Sequence, residues 1–184
     1  MFGKISKIWN GLFYQSVDRY EKDVKTVKFV NVSPNADPQY AHDGDSGFDL
    51  RAWIGEFDEG AKVDGNGQYT LTLKSLERRL IHTGIYLELP EYTEAQVRPR
   101  SGMALKQGLS VLNTPGTVDN KYVGEVGVIA VNLSKKPITI TNGDRIAQLA
   151  IMPVYLKELI NLVKVEEVSE TERGSKGFGS SGVK

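Results

Sequence analysis

The sequence contains no cysteine and only two histidines, His42 and His82. Disulfide scaffolds, thiolate metal sites and cysteine nucleophiles are excluded, and zinc chemistry has almost nothing to work with. Net charge is also lacking. The 23 basic side chains balance 23 acidic ones, so no global cationic field draws the chain to nucleic acid or anionic lipid. Uncharged stretches such as Ile146 to Leu156 fall well short of the ~18 apolar residues that span a bilayer.

What remains is an ordinary globular composition: 184 residues, 40% hydrophobic and 25% charged. One domain of that length can bury about 70% of its extended surface, which rules out disorder of the whole chain. From Thr26 onward, β-branched and aromatic residues cluster in short runs broken by Gly, Pro, Asn and Asp. The runs are Thr26 to Val32, Tyr69 to Leu73, Leu80 to Leu89, Ala95 to Arg98, Glu125 to Leu133, Ile138 to Ile140, Ile146 to Val154 and Leu159 to Val165. Their spacing predicts an all-β barrel or sandwich. Asp64-Gly65-Asn66-Gly67 reads as a hairpin turn, because these residues tolerate positive φ.

Both ends differ from this body. Residues 1–17 carry Lys4 and Lys7 but no acid, and Ile5, Trp9, Leu12 and Phe13 recur at helical spacing. With neither arginine nor a small-residue cleavage site in residues 1–17, the extension 1–25 reads as a short helix packing on the body or on a protein partner. At the other end, Arg173 to Gly182 reads RGSKGFGSSG, seven of its ten residues being Gly or Ser. Composition alone gives a flexible tail. Phe178 among the glycines, with Arg173, Lys176, Ser180 and Ser181 around it, also supplies the parts of a lid for a phosphorylated, ring-containing ligand.

Four internal clusters could carry chemistry. AHDGDSGFDL, residues 41–50, holds Asp43, Asp45 and Asp49; lacking calcium-loop spacing and a closing Glu, it reads first as a tight turn leading into a strand. PRSGMALKQG, residues 99–108, sets Arg100, Ser101 and Gly102 after a predicted strand and before a helical turn. That arrangement suits either an anion or a plain Ser-capped turn. NTPGTVDNKYVGE, residues 113–125, packs Asn113, Asp119 and Tyr122 into a predicted hairpin. An amide there can read a base edge, a carboxylate can activate water and a ring can lie on a sugar, although an ordinary turn explains the same residues. GDRIAQLAI, residues 143–151, puts Gln148 inside an apolar strand, where its amide needs partners if buried. His42 and His82 read as surface or packing residues.

Together and in this order, the four clusters and the RGSKGFGSSG tail resemble the five motifs of the trimeric dUTPase family, over roughly residues 26–184. The resemblance implies a distorted jelly-roll β-barrel over 26–170 and a C-terminal arm, 171–184, closing over a neighbouring subunit's site. It implies a cytoplasmic homotrimer with three sites at subunit junctions, acting on dUTP with no role for nucleic acid or membrane. It further implies hydrolysis of dUTP to dUMP and pyrophosphate, supplying dUMP and keeping uracil out of DNA. Asp119 would be the general base, with Gln148 holding the attacking water. Arg100, Ser101 and Gly102 would bind the middle of the triphosphate, and Arg173, Ser180 and Ser181 its far end. Asn113 and Gly116 would read uracil, Tyr122 would pack on the deoxyribose, and Phe178 beside Gly179 would stack on the base. Mg2+ would be the cofactor, anchored through water by Asp49. Lys121 and Lys176 depart from common family patterns without removing a named role. A dCTP deaminase or bifunctional relative of the same fold, or a nucleotide-switched protein-binding regulator, are the alternatives.

Overall fold

Alternation of apolar and polar side chains decides where this chain becomes strand. From Thr93 to Pro99, Thr93, Ala95 and Val97 are buried while Glu94, Gln96 and Arg98 lie half-buried on the opposite face. Period two is the signature of a pleated strand with one face in a core. A computed structural model describes residues 24–175. It contains β1 (Lys28–Asn31), β2 (Phe48–Arg51), β3 (Lys62–Val63), β4 (Tyr69–Leu73), β5 (Arg78–Ile81), β6 (Ile85–Glu88) and β7 (Thr93–Pro99). A short helix, α1 (Ser101–Gln107), leads to β8 (Leu109–Val111), β9 (Gly116–Val118), β10 (Val128–Asn132), β11 (Ile138–Thr141) and β12 (Arg145–Pro153). The helical expectation for residues 1–23 lies outside the described residues.

The strands pair antiparallel in four small sheets, ordered β1-β6, β5-β10-β8, β11-β4-β3 and β2-β12-β7-β9. Most neighbours are distant in sequence, as in a distorted jelly roll. The predicted hairpin at Asp64 to Gly67 joins β3 to β4, with the Asp64 carboxylate accepting the N–H groups of Asn66 at 2.8 Å and Gln68 at 2.9 Å. Leu50, Ile54, Leu73, Ile81, Leu109, Ile140 and Leu149 are fully buried inside the barrel, each worth roughly 1.5–3 kcal/mol of transfer free energy. Two polar residues, Asn132 and Thr83, join them. Asn132 donates to the carbonyls of Leu73 at 3.0 Å and Lys136 at 2.8 Å and accepts from the Ser134 N–H and hydroxyl, both at 2.8 Å. It therefore ties β4 to β10 and its turn with no polar atom left unpaired.

Three expectations require correction. Leu80 to Leu89 is two strands rather than one, because Gly84 turns the chain at φ 70, taking it from β10 to β1 as partner. A Cβ at Gly84 would lie 2.7 Å from the Ser33 side chain, so the corner admits no larger residue. The segment 113–125 is not a hairpin: β8 pairs with β10 whereas β9 crosses to β7. Leu159 to Val165 is not a strand. The chain divides after Val154, and in the second unit Lys157–Leu159 forms one 3-10 turn followed by irregular chain. An apolar run of strand-forming residues stays irregular when no edge accepts its N–H and C=O groups.

Candidate functional site

Register places the first group of candidate residues. Asp49 of β2 lies directly opposite Gln148 of β12, and opposed residues of antiparallel strands share a face. Next to Gln148 on the other side runs β7, whose end delivers Arg100 to the entrance of α1. The Asp49 carboxylate takes one arginine on each oxygen: Arg100 Nε at 2.8 Å from Oδ1 and Arg145 Nη1 at 3.0 Å from Oδ2. Arg100 also donates to the Arg145 carbonyl at 3.0 Å, and Gln148 Nε2 to the Pro99 carbonyl at 2.9 Å. These bonds fix both guanidiniums and the amide along the wall of a cleft of about 540 Å3, which Ser101, Gly102, Lys106 and Asp45 also line. A cleft of fixed forked donors with a serine hydroxyl suits phosphate oxygens.

A second cleft, of about 480 Å3, gathers Asn113, Gly116, Asp119 and Tyr122. The Tyr122 N–H donates to the Asp119 carbonyl at 3.0 Å, so one tight turn presents both side chains. Gly116 is needed for close approach, since a Cβ there would stand 3.2 Å from the Asn113 amide nitrogen and 3.3 Å from Val97 Cβ. Amide, carboxylate and aromatic ring on one wall can read a base edge, hold a sugar hydroxyl and cover a sugar face.

The structure thus brings Asp49, Arg100, Ser101, Gly102 and Gln148 together, and separately Asn113, Gly116, Asp119 and Tyr122. It does not bring the two groups into one cleft of one chain. Arg173 is exposed in the second unit, and Phe178, Gly179, Ser180 and Ser181 lie outside the described residues. Sequence reasoning missed Arg145 as the second partner of Asp49, and it missed the pairing of His82 with Glu125. His82 does pack, edge-on against Phe57, but its Nδ1 also sits 2.8 Å from Glu125 Oε2 in the second cleft. Burial works against the charged form of Glu125. The Gly84 N–H, His82 and the Thr83 N–H outweigh burial and hold its carboxyl below the ordinary range.

Among the described residues no three acidic or histidine side chains converge as a metal cage. Asp49, the expected anchor for a cation, lines the first cleft together with Asp45. Both oxygens of Asp49 carry a guanidinium, yet each keeps a lone pair for a water molecule. That donor set fits an ion such as Mg2+, which keeps most of its water and takes further ligands from phosphates.

Comparison with known proteins agrees with this chemistry. The family model described as dUTPase matches residues 60–182. The deoxyuridine 5'-triphosphate nucleotidohydrolase of Cytophaga hutchinsonii is 46% identical over 157 residues, covering 85% of this chain and 92% of that protein. Among solved structures, a mutant dUTPase of Staphylococcus bacteriophage 80alpha with dUpNHpp superposes with a TM-score of 0.70 at 26% identity, covering 86% of this chain and 99% of that one. A mutant dUTPase from phage phi11 of S. aureus, which coordinates a structural Mg(II) ion, shares the fold with a TM-score of 0.63 at 23% identity, over 79% and 99% of the two chains.

Proposed function

The chain belongs to the dUTPase family, and from that premise we propose how its residues hydrolyse dUTP to dUMP and pyrophosphate. Water attacks the α-phosphorus in line, and no covalent intermediate with the enzyme forms. Little covalent work falls to the protein, so positioning and charge stabilisation supply most of the rate. Asp119 takes the proton from the attacking water and holds the 3′-hydroxyl of the sugar. Gln148 helps to hold that water and an α-phosphate oxygen.

Arg100, Ser101 and Gly102 bind the middle of the triphosphate, and Arg173, Ser180 and Ser181 its far end. Asn113, with backbone beside Gly116, reads the uracil edge. Cytosine presents the reversed donor and acceptor there and leaves buried polar groups unpaired. Tyr122 covers the deoxyribose and blocks a 2′-hydroxyl, while Phe178 and Gly179 cover the base. Asp49 would hold Mg2+ through water, and the ion would supply charge neutralisation along the triphosphate.

The single observation that carries this reading is the division of the candidate residues between two clefts. A nucleotide that touches both groups can lie where clefts of different copies meet, which supports a homotrimer with shared sites. Pyrophosphate release is the test, measured on dUTP, UTP, dCTP and dTTP with Mg2+ or with chelator. Turnover should be confined to dUTP and collapse on chelation, and a chain ending at Glu172 should assemble normally while losing most activity. Ammonia release from dCTP, or full dUTP turnover by a monomer, would overturn the proposal.

A further inference from the structure

Behind the turn that presents Asp119 and Tyr122, one buried-side carboxylate holds the second cleft together. Glu125 Oε1 accepts the Thr83 N–H at 2.9 Å and the Gly84 N–H at 2.7 Å, while Oε2 meets His82 Nδ1 at 2.8 Å. The side chain is 20% exposed. At the same residue the main-chain carbonyl accepts the Tyr122 hydroxyl at 3.1 Å. Glu125 therefore grips the β5–β6 corner with its side chain and the Tyr122 ring with its backbone.

The corner it grips is rigid. The Thr83 hydroxyl bonds the Val126 carbonyl, the Val126 N–H bonds the Ile85 carbonyl at 2.7 Å, and Gly84 is wedged against Ser33. Loop 119–125 is anchored away from that corner, where Asn120 Nδ2 donates to the carbonyls of Pro90 at 2.7 Å and Thr93 at 3.1 Å. Tyr122 and Asp119 are both exposed, and β9 ends at Val118. Across that loop, the bonds of Glu125 are the polar ties to the corner, because the contact between Glu125 and Tyr86 is an isolated bridge rather than a ladder.

We propose that Glu125 is a positioning residue for sugar recognition. Its carboxylate, clamped at the corner by Thr83, Gly84 and His82, fixes the carbonyl that orients Tyr122. Charge-assisted bonds to N–H groups are the strong ones, so this clamp sets how firmly the ring stands against a ribose 2′-hydroxyl. The inference rests on the dUTPase reading and on the placement of Tyr122 over the sugar. Glu125 itself touches no reacting atom, so its effect belongs in substrate discrimination and KM rather than in the chemical step.

The test compares wild type with Glu125→Ala, Glu125→Gln and Tyr122→Phe, using kcat and KM for dUTP and for UTP on assembled protein. Glu125→Ala should raise the KM for dUTP and shrink the dUTP-to-UTP ratio of kcat/KM about tenfold, with kcat for dUTP within about threefold. Glu125→Gln keeps an oxygen for both N–H groups and should restore the ratio to within about threefold of wild type. Tyr122→Phe, which removes only the bond from the hydroxyl to the Glu125 carbonyl, should move the ratio the same way by about fivefold. Adding Glu125→Ala to Tyr122→Phe should produce less than the product of the two effects. An unchanged ratio in Glu125→Ala overturns the proposal, as does an equal loss of turnover on both nucleotides. Should that variant fail to assemble, an unchanged ratio in Tyr122→Phe overturns it instead. A wild type inactive on dUTP would refute the reaction itself, an outcome visible before any variant is compared.

Discussion

Replacing Asp119 with Asn separates chemistry from structure, because the side chain has no structural duty. Asp119 is exposed, and among the described residues its carboxylate joins no hydrogen bond or ion pair. The turn it opens is closed by the Tyr122 N–H on the Asp119 backbone carbonyl at 3.0 Å, a bond that Asn keeps. Stability should therefore change by less than about 0.5 kcal/mol. In the proposed mechanism, the substitution removes the proton acceptor. A positioned general base contributes roughly 10²–10⁴ in rate, or about 3–5.5 kcal/mol of activation free energy. Asn retains an oxygen for the 3′-hydroxyl, so KM for dUTP should stay within a few-fold. The assay is pyrophosphate release at saturating dUTP, alongside a thermal melt of the same preparations. A kcat within tenfold of wild type would remove Asp119 as the base. A melting point lowered by several degrees would show that the carboxylate is structural after all.

Two further outcomes test the frame. Asn132→Ala strips the partners from the Leu73 and Lys136 carbonyls and from Ser134, and should cost about 2–4 kcal/mol in urea unfolding; a loss under ~1 kcal/mol would mean that water replaces the amide. Because the Glu125 carboxyl is held below its ordinary value, about 4.3, its charged form stabilises the fold above that value, and the contribution is lost as pH falls through the lowered one. Wild type should therefore exceed Glu125→Gln in urea midpoint at pH 6, and the gap should close towards pH 3. A gap that does not change with pH would contradict the assignment.

Several strands with one buried face were legible, whereas the three-residue β8 and β9, which share that pattern, were not. Tyr69 to Leu73 emerges as β4 within its predicted bounds, and Ile146 to Val154 differs from β12 by one residue at each end. Leu80 to Leu89 failed because hydrophobicity continues through Gly84 while the partner strand changes, and partner identity has no local trace. Leu159 to Val165 failed for the opposite reason: strand-forming residues there pair with no strand among the described residues. In the first cleft, Asp49, Arg100 and Gln148 were legible from their motifs, and register on β2, β7 and β12 unites them. The His82–Glu125 pair was not, since 43 residues separate the two partners and each looks ordinary alone.

The first cleft also has a consequence for how substrate arrives. It sets the cations Arg100, Arg145 and Lys106 against the carboxylates Asp45 and Asp49, on a chain whose formal charge is +0. Little positive potential therefore reaches into solvent beyond a Debye length of about 8 Å at physiological ionic strength. Capture of an anion by this cleft should therefore depend only weakly on salt. Abundant polyphosphates should accordingly gain little at the mouth, which leaves retention to the fit of sugar and base after contact.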